Sequence, residues 1–322
     1  MIKRYIVILL KGIAMGMADV VPGVSGGTIA FISGIYEEFV NSLNSINSKA
    51  LKLLFQFKIK DFWTHINGTF LFSLATGILI SIVSLSKLII YLLENEPTLL
   101  WAFFFGLIIA SVLFIGKQIS KWNARVIIAL IIGILASFFI TIMEPTSSPD
   151  STLYIFFSGF VAIIAMILPG ISGAFILLLL GAYPTIIGAI NNLRTGLANS
   201  NYEMVLQSGE MLAIFAIGAV LGLLTFSRVL AWMFKNYHNT TLAVLTGFMI
   251  GSLNKVWPWK ETVSTRINSH GEIVPFIQKN VSPMNYNGET QVIFVIALAI
   301  IGFALIYLLE KVANKSAKTV IN

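Results

Sequence analysis

Two copies of one short phrase hold the residues of this chain best suited to gripping an anion. Pro22-Gly23-Val24-Ser25-Gly26-Gly27-Thr28 recurs as Pro169-Gly170-Ile171-Ser172-Gly173-Ala174, each time in the middle of a long apolar stretch. Proline and glycine interrupt the helical hydrogen-bond ladder, and within lipid no water replaces the lost partners. A tip of this kind therefore turns free backbone amides toward a cavity. Gly23, Gly26 and Gly27, with Gly170 and Gly173 in the second copy, allow a guest to approach the backbone closely. Ser25 or Thr28 can cap the helix that follows, with Ser172 matching Ser25 in the second copy. The positive end of that helix then points at whatever fills the tip, and the natural guest is an anion. The plainer reading is that these glycines only permit tight helix packing. Two copies with matching serines favour the anion site.

Three charges within apolar sequence extend this chemistry. Lys87 and Arg228 stand at equivalent places in two apolar spans, where Ser86-Lys87 aligns with Ser227-Arg228. A cation at the bilayer centre costs about 2.5–3.5 kcal/mol on insertion scales, so it faces protein or a wet cavity unless it snorkels to the interface. Both readings stand for this pair: neutralising a bound anion, or snorkelling. Asp19 precedes Pro22 by one helical turn and has no acidic counterpart, since Met166 takes the aligned position. It is a candidate carrier of a coupling proton, or else a cap for the tip, or a partner of Lys11. His65, His238 and His270 fall in expected loops without partners at metal-ligand spacing, so no metal site is expected. With no cysteine there is no disulfide framework and no thiol catalysis. No catalytic residue and no cofactor are expected.

The elements that position these residues follow from composition. The chain is 57% hydrophobic and 11% charged, with a mean hydropathy of +0.88. So few charges cannot cover a water-soluble protein of 322 residues, so the surrounding solvent is largely lipid. The net charge of +7 does not indicate nucleic acid, because the basic residues fall in short loops between apolar spans. The opening Met1-Ile2-Lys3-Arg4 carries Lys11 within its apolar run and lacks a small-residue cleavage site, so it is expected to stay as mature sequence.

Segments 69–94, 99–118, 124–143, 210–234, 240–257 and 291–311 are long and apolar enough to span a bilayer. The motif-bearing segments 5–41 and 153–190 differ. Each has about 16 apolar residues on either side of its Pro-Gly break, a rise of about 24 Å against a hydrocarbon core of about 30 Å. Re-entrant helical hairpins with the motif at the tip are expected, two short tilted crossings being the alternative. Segment 42–66 is expected as an amphipathic helix on the inner membrane surface, and 258–290 as an outer loop. With cytoplasmic termini, most basic residues lie inside, and only Arg194, Lys255, Lys260, Arg266 and Lys279 fall outside. Gly12 aligns with Gly159, Gly34 with Gly181, Tyr36 with Tyr183, Gly77 with Gly218 and Gly106 with Gly247. The expected fold is thus an all-α polytopic membrane protein with an inverted-topology repeat. Each half, 1–150 and 151–322, contributes one re-entrant hairpin and three transmembrane helices.

The run from Lys11 to Thr28, with Gly34-Ile35-Tyr36-Glu37 and Leu168-Pro169-Gly170-Ile171-Ser172-Gly173, resembles a bacterial integral-membrane family associated with polyprenyl-phosphate translocation. That resemblance covers about residues 5–311. It implies a flippase in the cytoplasmic membrane that returns undecaprenyl phosphate, the lipid carrier of cell-wall sugars, to the inner leaflet for reuse. The partners it implies are this lipid and the membrane itself. A small-anion permease or channel is the main alternative. Undecaprenyl-pyrophosphate phosphatases share re-entrant loops and a Pro-Gly-x-Ser-Arg-Ser signature, but here Gly26-Gly27 replaces that Arg-Ser. Ser25 would lack both an activating base and a phosphate-clamping arginine, so phosphatase chemistry is not expected.

Overall fold

A computed structural model describes residues 2–21, 24–145, 151–267 and 273–321. The chain is mostly helical. Among the described residues, four helices are long and apolar enough to cross a membrane, or five if one sharply bent pair counts as a span. In the first half these are α6 (Gly68–Asn95), α7 (Pro97–Gln118) and α8 (Ala124–Ile142), close to their expected bounds. Pro97 opens α7, where its missing N–H costs nothing. Asn123 caps α8 by accepting from the Val126 amide at 3.0 Å.

In the second half the expected spans 210–234 and 240–257 are two helices that meet at a kink, together α12 (Tyr202–Ser252). The break falls at Tyr237, whose backbone (φ −138°, ψ 46°) is not helical. It lies in the polar stretch Asn236-Tyr237-His238-Asn239, between the two apolar runs. The last helix, α13 (Val292–Ile321), follows a region expected as loop. That region holds a two-stranded antiparallel hairpin, β1 (Lys260–Ile267) and β2 (Ile273–Asn280), so the fold is not strictly all-α. Its alternating Val, Ile and Thr residues suit a pleated strand.

The motif segments depart from the expectation beyond the motif. The first comprises α1 (Ile2–Val20), α2 (Gly26–Ile32) and α3 (Tyr36–Asn44), and the second α9 (Thr152–Ile167), α10 (Gly173–Leu179) and α11 (Tyr183–Ala198). The part of each segment that follows the motif is therefore two helices, not one. The break lies at Gly34 (φ +72°) and Gly181 (φ +66°), the left-handed conformation that glycine adopts without strain. At both breaks the paired bonds of a Schellman C-cap close the short helix. Gly34 N–H donates to Phe31 O and Ile35 N–H to Ala30 O, while Gly181 N–H donates to Leu178 O and Ala182 N–H to Leu177 O. Beyond the second break α11 turns 107° from α10.

Close helix crossings recur at the positions the two halves share. α1 packs on α6, as α9 packs on α12, and α7 on α13, as α12 on α8. A Cβ on Gly12 would lie 3.2 Å from the Gly77 Cα, and Gly77 abuts the Leu9 carbonyl. Their counterparts Gly159 and Gly218 abut the Phe215 and Phe156 carbonyls. Gly106 meets Ala299, while Gly247 meets the Leu130 carbonyl and approaches Gly133. These are backbone-to-backbone approaches of the kind small residues permit in membranes.

Segment 42–66 contains two short helices, α4 (Ser48–Phe55) and α5 (Ile59–His65), separated by Phe57 in left-handed conformation. Phe55 and Phe57 are 79% and 87% exposed among lysines. Because the chain has no cysteine, a nitroxide on Phe57→Cys reports this surface alone. Its label should relax faster with oxygen, which partitions into lipid, than with a water-soluble nickel chelate. The reverse order would place α4 and α5 in water.

Candidate functional site

The two motifs meet in the buried core. Ser25 occupies the N-cap of α2 in extended conformation, and its Oγ accepts from the Gly27 amide at 3.0 Å. The same hydroxyl donates to the Met166 carbonyl at 2.9 Å, at the end of α9. In return, the Gly170 amide donates to Thr28 Oγ1 at 2.8 Å. Pro169-Gly170, with Gly170 at φ +88°, has the residues and sign of a type II turn, which presents that amide. Tyr36 adds a bond from its hydroxyl to the Ile167 carbonyl at 3.2 Å, and Gly27 lies directly against the Ile167 and Met166 carbonyls. Ser25, Thr28 and Ser172 are all buried.

The amides expected to face a guest are occupied in the first copy. The Gly26 amide donates to Asp19 Oδ1 at 2.6 Å, the Gly27 amide to Ser25 Oγ, and the Thr28 amide to the Ser25 carbonyl at 2.9 Å. A carboxylate of the chain itself thus holds the position of the anticipated anion. Of the three roles open to Asp19, this geometry displays the cap. Lys11 does not pair with it and donates instead to the Ser33 carbonyl at 2.6 Å. The second copy differs. Ser172 stands at the N-cap of α10 without forming a side-chain cap bond, against expectation, and Gly173 packs against the Ala162 carbonyl. Pro22 and Gly23 lie outside the described residues.

The candidate cations are not gathered at the tips. Arg228 is exposed and lines a cleft of about 440 Å³ between α3 and α12, with Glu37, Asn41, Asn44, Trp232 and Lys235. Among the described residues no hydrogen bond links it to either motif. The side chain of Lys87 lies outside the described residues, though its backbone belongs to α6. His238 sits within α12, not in a loop, and approaches Glu37 Oε1 at 2.8 Å. Glu38 joins Arg4 at 2.5 Å and accepts from Asn67 at 2.9 Å. These glutamates tie α3 to its neighbours.

Sequence reasoning missed one cationic cluster. Lys260 Nζ lies 3.4 Å from the Trp101 ring centroid and donates to the Lys255 carbonyl at 2.6 Å. Lys255 Nζ lies 4.1 Å from the ring of Phe175, on α10. Burial, and then the neighbouring Lys255 charge, hold the Lys260 ammonium well below the ordinary lysine pKa. The available signal was the run Lys255-Val256-Trp257-Pro258-Trp259-Lys260, where cations flank tryptophans at the end of a span.

Fold and site together define a polytopic helical membrane protein whose duplicated motifs interlock at one buried junction. The chain belongs to the undecaprenyl phosphate translocase-like family, whose profile matches residues 15–274. It is 44% identical over 316 residues to a polyprenyl-phosphate transporter of Vibrio cholerae, covering 97% of this chain and 98% of that one. A polyprenyl-phosphate transporter of Staphylococcus aureus is 33% identical over 262 residues, covering 78% and 85% respectively. Family and relatives are named as transporters, not enzymes. No solved structure matches the chain significantly.

Proposed function

We propose that this protein moves undecaprenyl phosphate across the bacterial cytoplasmic membrane, returning the carrier from the outer to the inner leaflet for envelope synthesis. The observation that carries this reading is the interlock of the two motifs, through the Ser25–Met166 and Thr28–Gly170 hydrogen bonds. Bonds of this kind couple the segments, so a head group bound at one tip is felt by the other. The names of the relatives supply the lipid class.

In this reading the repeats 1–150 and 151–322 are inverted, with re-entrant hairpins and cytoplasmic termini. The recurring glycine crossings and paired Schellman breaks support the duplication, and the basic inner loops support the orientation. The phosphate binds at Pro22-Gly23, Ser25-Gly26-Gly27-Thr28, Pro169-Gly170 and Ser172-Gly173, while the tail lies in an apolar groove. Phosphate and the Asp19 carboxylate compete for the Gly26 amide. Entry of the head group therefore requires Asp19 to take up a proton or swing away, which links transport to a proton. Lys87 and Arg228 neutralise the phosphate in alternate states, Arg228 from its cleft beside α3.

The test is movement of labelled undecaprenyl phosphate between leaflets of liposomes containing only this protein. Lys87→Gln and Arg228→Gln should each slow transport about tenfold, the scale of one lost charged hydrogen bond, with little change in melting temperature. Wild-type rates in both would make these cations snorkelling residues. Inorganic phosphate competing as well as the lipid would favour the small-anion permease.

A further inference from the structure

The two motif tips are electrostatically unequal, and the difference points to one side. The first already carries an anion, since Asp19 Oδ1 accepts from the Gly26 amide. The second has Met166 at the aligned position and no carboxylate of its own. It lies instead beside two lysines. Gly170 packs against Phe248 and Ser252 of α12, one turn before Lys255, and Lys255 rests on Phe175 of α10. Lys260 reaches the same place from β1, over Trp101 of α7, with its ammonium on the Lys255 carbonyl.

An ammonium seated on an aromatic face and a carbonyl is partly compensated, but its charge is not. Among the described residues, neither lysine forms an ion pair with a carboxylate. Among the described residues, Lys260 donates one hydrogen bond of the three its ammonium offers, and Lys255 Nζ makes its ring contact alone. Two like charges brought together with no counter-ion among the described residues are costly. That cost falls when a dianionic group enters between them. Burial, and then the Lys255 charge, lower the Lys260 pKa, and a neighbouring anion opposes both.

Resting on the transport reading above, we infer that Lys255 and Lys260 form a phosphate-monoester site beside the second motif tip. It receives the head group before the group reaches the junction with the first tip. The aromatic rings that hold the lysines leave them only part-exposed to water, which strengthens their attraction for phosphate. Selectivity follows from chemistry: two ammonium groups suit a doubly charged monoester better than a diester lipid with a single charge.

The test measures equilibrium binding by the full-length protein in detergent, with undecaprenyl phosphate, undecaprenol and inorganic phosphate as separate probes. Lys255→Met with Lys260→Met should weaken undecaprenyl phosphate about tenfold or more, since charged hydrogen bonds are lost. Undecaprenol, which has the tail but no charge, should bind both proteins equally. Lys279→Met, on the same hairpin, should behave as wild type. Undecaprenyl phosphate bound equally by wild type and double variant overturns the site and leaves the transport reading standing. Lysine-dependent binding of inorganic phosphate without binding of the lipid keeps the site and overturns the transport reading. If the double variant does not fold, reductive methylation of the wild type decides the matter. Undecaprenyl phosphate should then shield Lys255 and Lys260 but not Lys279, and equal modification with and without the lipid overturns the site.

Discussion

Gly27→Val is expected to abolish transport and to lower the melting temperature in detergent substantially. A Cβ on Gly27 would stand 2.9 Å from the Met166 carbonyl and closer still to that of Ile167. Both obstacles are backbone at the end of α9, so no side-chain rotation relieves the clash. Overpacking of this kind costs about 1–3 kcal/mol. Separating the motifs also loses the Ser25–Met166 and Thr28–Gly170 bonds, the first part-buried and the second buried, each worth about 1 kcal/mol. The combined loss is a large share of the stability of an ordinary domain. The check is thermal unfolding together with liposome transport. A variant with wild-type melting and wild-type flux would mean that the motifs need not touch.

Substitutions at Asp19 should divide into two classes. Asp19→Ala removes the acceptor of the Gly26 amide and leaves a part-buried donor unpaired. Charge-assisted bonds of this kind contribute about 1.5–3 kcal/mol, so α2 should lose its anchor and the protein should unfold earlier. Asp19→Asn retains an amide oxygen that can accept the same bond, so folding and lipid binding should persist. It cannot exchange a proton, and the response of transport to an imposed pH gradient should vanish. Flux at several gradients, compared with melting temperature for both variants, separates cap from coupler. If Asp19→Asn transport still follows the gradient, the coupling proton resides elsewhere and Asp19 is a cap alone.

The lysine pair, the interlock and Asp19 differ in how visible they were beforehand. Asp19 stood out because a carboxylate in apolar sequence is rare, and its position one turn before Pro22 allowed a capping role. Ser25 was readable as an N-cap from its place ahead of Gly26-Gly27. Its second bond, to the Met166 carbonyl, was not readable, because nothing local to either segment names a partner 141 positions away. Ser172 shows the converse. It repeats Ser25 in sequence and in its N-cap place, yet makes no side-chain cap bond.

By itself the sequence determined the membrane class, the bounds of α6, α7 and α8, and the duplication of the motif. Apolar length and local punctuation are properties of neighbouring residues, and lipid enforces them strictly by forbidding unpaired backbone. The aligned glycines were also legible, although their role was not. Gly34 and Gly181 break the helical stretches that follow the motifs, whereas Gly12 and Gly77 bring two helices into backbone contact. Only the tertiary structure decided between these uses, since glycine permits both a left-handed turn and a close crossing. It alone placed Arg228 in a side cleft and brought Lys255 and Lys260 onto rings from α10 and α7. Those outcomes depend on how distant helices cross, and a donor's partner is set by that crossing, not by the residues beside it in the chain.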